Sequence, residues 1–393
     1  MNYNTVKMEE LIKSGEVSIK TGPFGTQLKA SEYIDKGTPV LNVKNLGYGS
    51  IVRTKLDHVG QDTLKRLAIH TLQQGDIVFG RKGAVDRHAF IHAEENGWMQ
   101  GSDCIRVRVL TDRLNSRYLS YYFLTQKHRA FMVSMCAHGT TMASLNQKIL
   151  EQIEIPLPDR AIQDRLVNTL ICIDNKIELN QRINENLERQ AQVVFQQTSP
   201  YAITDELPLG WRIGTVGEII ELHDSKRVPL SGAVRIKMEK KTYPYYGAAS
   251  LMDYVDNYIF DGKYLLLGED GTVMDDDGYP ILQYVWGRFW VNNHAHILTG
   301  KLGFNVESLY LLLKKTSVKS IITGAVQPKI SQANLRSIQT VIPPREVLEK
   351  LNYQIEPLFA LIRLNNEQNK SLIMFRDTLL PKLMSGEIDL QEA

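Results

Sequence analysis

Shifting the residue numbers by 185 lays one stretch of this chain over another, and that self-similarity restricts the available folds more than any other feature. Gly139 falls on Gly324, Leu150 on Leu335, Ile153 on Ile338 and Pro158 on Pro343. Further along, Ile162 meets Val347, Leu166 meets Leu351, Leu170 meets Ile355, Ile173 meets Leu358 and Ile177 meets Ile362. Leu179, Asn180, Asn184 and Leu187 recur as Leu364, Asn365, Asn369 and Leu372. The apolar matches step by four, four, three and four residues, the spacing of a single helical stripe narrow enough for a coiled-coil seam. Each stripe follows a proline-bearing stop, Ile155-Pro156-Leu157-Pro158 and Val341-Ile342-Pro343-Pro344. Proline presets φ for a first helical turn and disfavours helix in the residue before it. Each copy therefore reads as a short strand, a proline break and a long helix.

The first helix is expected over residues 159–197, roughly 55 Å at 1.5 Å per residue. The two helices are expected to pack as an antiparallel coiled coil, because neither apolar face is wide enough to stabilise a helix alone. Asn180 and Asn365 hold matching places by the stripe, where a polar side chain fixes register at some cost in stability. Pro357 stands where the first copy has Cys172, and is expected to kink or split the second helix.

The regions before the helices correspond more weakly. Residues 75–85, with Gly80-Arg81-Lys82-Gly83 at their centre, resemble residues 262–273, with Gly268-Glu269-Asp270-Gly271. Both read as a buried strand, a glycine-bracketed turn and a further strand. Residues 115–124 and 305–314 each read as an amphipathic helix. The expected fold class is α+β, a pseudo-twofold internal repeat. Two similar mixed α/β domains, residues 1–155 and 201–343, alternate with long helices in 156–200 and 344–393.

Composition narrows the class. With 393 residues, 43% hydrophobic and 23% charged, the chain is neither disordered nor collagen-like. No apolar run approaches the roughly 20 residues that span a bilayer. Met1-Asn2-Tyr3-Asn4 lacks the pattern of a signal peptide. Cys104, Cys136 and Cys172 are scattered and odd in number, which argues against a disulfide framework or structural zinc and for a reducing, cytoplasmic location. The net charge of +2 conceals an uneven distribution. Residues 1–155 carry 20 basic and 15 acidic side chains, residues 156–197 carry 5 and 6, residues 198–343 carry 15 of each, and residues 344–393 carry 6 and 8.

The duplication carries a recurring set of words. Thr21-Gly22-Pro23-Phe24-Gly25-Thr26-Gln27-Leu28 stands near the start, and Gly139-Thr140-Thr141 and Gly324-Ala325-Val326-Gln327-Pro328-Lys329-Ile330 precede the two proline–helix units. Leu207-Pro208-Leu209-Gly210-Trp211 opens the second block, and Leu379-Leu380-Pro381-Lys382-Leu383-Met384-Ser385-Gly386-Glu387-Ile388 closes the second helix. In this order, over nearly the whole chain, they resemble the specificity (S) subunit of a type I restriction–modification system. The resemblance implies two target-recognition domains, each reading one half of a split double-stranded DNA site. It implies helices that set the spacer and dock two methyltransferase (M) subunits, with restriction (R) subunits joining the core. It implies no chemistry in this chain: S-adenosylmethionine, ATP and Mg²⁺ belong to the partners.

Phosphate contacts supply affinity and base-edge contacts supply sequence. The candidates in the first domain are Lys20, Lys29, Lys44, Arg53, Arg81, Lys82, Arg87 and Lys148; in the second they are Lys226, Arg227, Lys240, Lys241, Tyr245, Tyr246 and Arg288. Thr140, Thr141, Gln327 and Lys329 lie where each domain meets its helix, placed to bond phosphate or to cap a turn. Arginine pairs bidentately with guanine, and tyrosines beside a basic run offer rings and hydroxyls.

Enzyme motifs are missing. Ile342-Pro343-Pro344-Arg345 lacks the polar lead and the aromatic of an adenine methyltransferase loop, and there is no GxxxxGK[ST] phosphate loop. Three lesser readings remain. One is a metal-dependent nuclease on Asp224, Glu239 and Lys241. One is a scaffold whose helices dimerise. One is the specificity subunit of a solitary adenine methylation system. His294-Ala295-His296 places two imidazoles on one strand face without further evident zinc ligands, and Asp275-Asp276-Asp277 reads as a solvated turn.

Overall fold

The computed structural model describes residues 3–136, 143–324 and 327–388. It divides into two compact units, Met1–Glu178 with Gln368–Ala393, and Leu179–Glu367.

The first unit begins with β1 (Thr5–Lys7), α1 (Met8–Lys13), β2 (Val17–Thr21), β3 (Tyr33–Ile34), β4 (Thr38–Leu41) and β5 (Asp57–Val59). It continues with α2 (Gln61–Arg66), β6 (Ile77–Gly80), β7 (His88–Phe90), β8 (Met99–Gln100) and β9 (Cys104–Val109). Helices α3 (Ser116–Leu124), α4 (Gln126–Cys136) and α5 (Gln147–Glu151) follow, then β10 (Glu154–Pro156) and the long α6 (Arg160–Thr198). One antiparallel sheet has the order β2-β9-β6-β7, and a second has the order β3-β5-β4-β8, with β4 and β8 parallel. Strand β6 is buried at all four positions, as its uninterrupted Ile-Val-Phe run requires of a strand covered on both faces.

The second unit repeats the plan. It holds β11 (Arg212–Thr215), α7 (Val216–Ile219), β12 (Ile220–Leu222), α8 (Gly232–Ile236), β13 (Tyr243–Tyr246), β14 (Leu251–Val255) and β15 (Phe260–Asp261). Then come β16 (Tyr264–Gly268), β17 (Leu282–Val285), β18 (Arg288–Val291), β19 (Ala295–Gly300), α9 (Val306–Leu313), α10 (Gln332–Ser337), β20 (Gln339–Ile342) and α11 (Arg345–Ser385). Its antiparallel sheet β12-β19-β16-β17 matches β2-β9-β6-β7 strand for strand. In its other sheet the trio β14-β13-β18 matches β5-β4-β8, again with one parallel pair. The fourth strand differs: β3 lies beyond β5 in one unit, whereas β15 lies beyond β18 in the other.

Asn115 and Asn305 cap α3 and α9, each side-chain oxygen accepting from backbone N–H groups of the first turn. Both helices, expected to be amphipathic, are buried almost all round. Tyr118 to Phe123 are all buried, as are Val306 to Leu309. They lie between a sheet and a long helix: the Tyr121 hydroxyl donates to Asp174 on α6 at 2.6 Å, and Tyr310 donates to Glu188 on α6 at 2.8 Å.

The stripe on α6 finds partners on α11 within each unit. In the first unit Leu166, Val167 and Leu170 share a core with Leu380, Leu383 and Met384, Arg376 pairs with Asp174 at 3.0 Å, and the Asn369 amide donates to the Ile177 carbonyl at 3.3 Å. In the second, Ala191 and Phe195 share a core with Leu348, Leu351, Ile355 and Phe359, and the Asn365 amide donates to Asn184 at 2.8 Å. Ascending numbers on α6 meet descending numbers on α11, so the helices run antiparallel. Each buried leucine-sized side chain contributes about 1.5–3 kcal/mol. Asn180 is fully buried. Pro357 does not split α11, which runs unbroken from Arg345 to Ser385. The residue four positions earlier, Tyr353, has an exposed side chain, and Ile355 and Phe359 anchor the helix in the core on either side of the missing backbone bond.

Candidate nucleic-acid interface

The turn after β6 is held by backbone bonds from three directions. Arg81 N–H donates to the Asp103 carbonyl at 2.7 Å, Gly83 N–H donates to Ala143 at 3.0 Å, and Leu145 N–H donates back to the Arg81 carbonyl at 2.8 Å. The Arg81 guanidinium lies 5.6 Å from the ring of exposed Phe24, and Lys82 Nζ lies 3.7 Å from Asp103. The turn therefore presents two cations, one carboxylate and an aromatic face.

The turn after β16 is held in the same manner. Glu269 N–H donates to the His294 carbonyl at 2.9 Å, Gly271 N–H to Pro328 at 3.0 Å, and Ile330 N–H to the Glu269 carbonyl at 2.8 Å. Asp270 lies 2.6 Å from His294 Nδ1, and Lys329 Nζ lies 3.3 Å from Glu269. Beneath it, Arg227 Nη1 donates to Glu269 at 2.6 Å and to the Ala295 carbonyl at 2.9 Å. Asp224 accepts from Ile297 N–H at 2.9 Å, from Gln332 at 2.6 Å and from His296 Nδ1 at 2.6 Å, while His296 Nε2 faces the Ile330 carbonyl at 2.8 Å.

Burial pushes the Asp224 carboxyl up, but hydrogen bonds from His296 and Ile297 and the charge of Arg227 outweigh it and hold it below the usual carboxylate range. Glu269 is likewise held low, burial being overcome mainly by Arg227. Asp224, Glu269 and His296 bring three ligand-type atoms within 4.8 Å of one another. They are the group on which a cation would sit. Their oxygens and ring nitrogens are already engaged by protein groups, and Arg227 supplies positive charge. Of the residues of the nuclease reading, Asp224 belongs to this buried network, Lys241 Nζ pairs with Asp253 at 3.4 Å, and Glu239 is exposed, its backbone N–H donating to Asp256 at 3.2 Å.

A family model described as the type I restriction modification DNA specificity domain matches residues 3–189 and again residues 208–373. The chain belongs to that family. The specificity subunit of the type I restriction enzyme MjaIX of Methanocaldococcus jannaschii is 25% identical over 311 residues, 72% of this chain and 71% of its own. A putative type I specificity subunit of Haemophilus influenzae is 32% identical over 144 residues, 37% of this chain and 36% of its own. The crystal structure of a type I restriction–modification S subunit from M. genitalium superposes with a TM-score of 0.54 at 16% identity, covering 98% of this chain and 96% of that one, which shows the shared fold.

The remaining candidates of this type I specificity-family chain are dispersed. Lys44 pairs with Asp57 at 2.8 Å, Arg53 binds Glu94 and Glu95 beside the Trp98 ring, and Arg87 lies over Tyr48 at 5.4 Å. Lys20 is half-buried on β2, whereas Lys29 and Lys148 are exposed. In the second unit Lys226, Lys240 and Gln327 are exposed, and Arg288 pairs with Asp261 at 3.1 Å under the Tyr258 ring. Tyr245 is a core residue whose hydroxyl meets the Leu230 backbone, so its ring is not offered outward. Tyr246 is half-buried against Phe289, and burial pushes its hydroxyl up to about 12. Thr140 and Thr141 lie outside the described residues. Asp103, Glu269 and Asp270 were not among the sequence candidates. The difference in charge between the two glycine-bracketed turns was readable, but the partners come from distant strands that no spacing connects. Among the described residues, no helix is long and apolar enough to cross a membrane.

Proposed function

We propose that the chain is the DNA-reading subunit of a type I restriction–modification complex, with residues 1–155 and 201–343 each reading one half of a bipartite target. The observation that carries this is the repetition of one strand plan in two units of a chain whose family is a DNA specificity domain. A reader of two unlike half-sites needs two copies of a scaffold that are free to diverge, and a palindromic target is then not imposed. The helices in 156–200 and 344–393 set the spacer and dock two methyltransferase subunits, and restriction subunits join that core. The chemistry belongs to these partners; this chain selects where it happens.

Methylation-sensitive long-read sequencing of cells carrying this chain and its methyltransferase partner tests the reading. A methylated motif of two short half-sites around a fixed spacer is expected. Replacing residues 1–155 by the corresponding block of a relative should change one half-site and leave the other intact. Loss of both together, or no motif in the wild type, contradicts it.

A further inference from the structure

Superposing the two repeats by their pairing registers shows a charge reversal at one place. Gly80 pairs with Cys104 where β6 meets β9, and Gly268 pairs with Ala295 where β16 meets β19. Arg81 and Lys82 therefore correspond to Glu269 and Asp270, and Asp103 corresponds to His294. Ser144, bridged to Lys82, corresponds to Lys329, bridged to Asp270. The pair of Lys82 with Asp103 at 3.7 Å is thus built a second time, as Asp270 with His294 at 2.6 Å, with acid and base exchanged.

The backbone does not share in the reversal. The same three backbone hydrogen bonds clamp both turns, with lengths that agree within 0.2 Å: 2.7, 3.0 and 2.8 Å in one and 2.9, 3.0 and 2.8 Å in the other. Gly83 and Gly271 both take a left-handed φ, +74° and +79°, and a Cβ at either would meet nothing within 4 Å, so both tips open outward. Lys82, Asp103 and His294 keep side-chain exposures of 58%, 52% and 47%, and Asp270 keeps 19%. At Glu269 the reversal has partners inside the chain, Arg227 and Lys329. At Lys82 and Asp270 it stands beside the outward tips, where the fold itself does not require either sign.

We propose that this turn is the base-discriminating element of each unit: Arg81 and Lys82 read guanine in one half-site, and Asp270 reads cytosine in the other. The assignment rests on the DNA-reading function proposed above. Guanidinium and ammonium groups only donate, and guanine offers two acceptors, O6 and N7, in the major groove. An ionised carboxylate only accepts, and the cytosine N4 amino group is the donor that suits it. Glu269 is held by Arg227 and Lys329 and stiffens the turn from below, which leaves Asp270, steadied by His294, as the reader. Rigid support of this kind is what a discriminating polar contact needs, since a mispaired group then cannot relax.

The test is methylome sequencing of the full chain with its methyltransferase partner, comparing wild type, Asp270→Asn and Lys82→Gln. Asp270→Asn keeps the shape and adds a donor. It should lower the preference for cytosine at one position of one half-site by about 5-fold to 150-fold, the range of one base-edge pair, and raise adenine there. Lys82→Gln should relax a guanine position in the other half-site only. Each variant's thermal unfolding is measured alongside; where one fails to fold, the other decides. Unchanged half-sites in a folded variant, or equal weakening at every position of both, overturn the assignment while the wild-type motif still upholds DNA reading. A wild type with no motif removes both.

Discussion

His88 and His128 lie in one aromatic cluster of the first unit, with the Phe123 ring 5.8 Å from His88 and 4.6 Å from His128. Burial lowers both imidazoles from 6.5 to about 3. Neither nitrogen of His128 has a hydrogen-bond partner among the described residues. The folded rings hold a proton less readily than the unfolded ones, so the unfolded chain takes up protons first as pH falls. Their contribution to stability is full above about pH 6.5 and is lost progressively towards pH 3. His128→Phe should therefore move the acid-unfolding midpoint of the first unit to lower pH and leave that of the second unit unchanged. Hydrogen exchange followed against pH in the two units checks this. At this scale the sequence was only partly legible. Arg81 and Lys82 were candidates from their place in a glycine-bracketed turn, and Lys329 from its place where domain meets helix. Arg227 was a candidate as a basic side chain and Tyr245 as a ring beside a basic run, but the structure engages them with Glu269 and with the Leu230 backbone. A charge or hydroxyl in sequence does not reveal which way its strand turns it.

At the scale of elements the repeat was far more telling, because helical periodicity is local. The first long helix, expected over 159–197, is Arg160–Thr198. The proline-marked strands became β10 and β20. Two expectations turned on context. α11 is not split at Pro357, where neighbouring side chains are anchored in the core, and α3 and α9 are covered on the face that periodicity left to solvent. Asn365 bonds Asn184, one turn beyond Asn180. Additions in whole heptads keep the apolar stripe of such a seam towards its partner. A seven-residue insertion beside Asn180, matched by one beside Asn365, adds about 10 Å of helix, equivalent to about three base pairs at 3.4 Å each. The methylated motif should keep both half-sites and gain that spacer. An unchanged spacer in a chain that still directs methylation would remove the helices from the role of ruler.

For the molecule as a whole, a net charge of +2 is the sum of unlike parts, since the first 155 residues hold 20 basic against 15 acidic side chains. An exposed cation that meets phosphate does so without regard to sequence and displaces about one counterion, and Lys148 is exposed. Lys148→Gln should lower the slope of log affinity against log salt by about 0.9 in the complex and leave the half-site preferences intact. Titrating salt in a DNA-binding assay measures the slope directly.

The strand pairs that begin and end each block have a consequence for descent. Thr5 lies opposite Pro156 through β1 and β10, and Arg212 opposite Ile342 through β11 and β20. Chain enters and leaves each block through adjacent, antiparallel strands, as through a single doorway. A gene that recombines at two such doorways inherits a whole new block while its helical frame keeps its register. If each block reads one half-site, such an exchange would carry a new preference in one event.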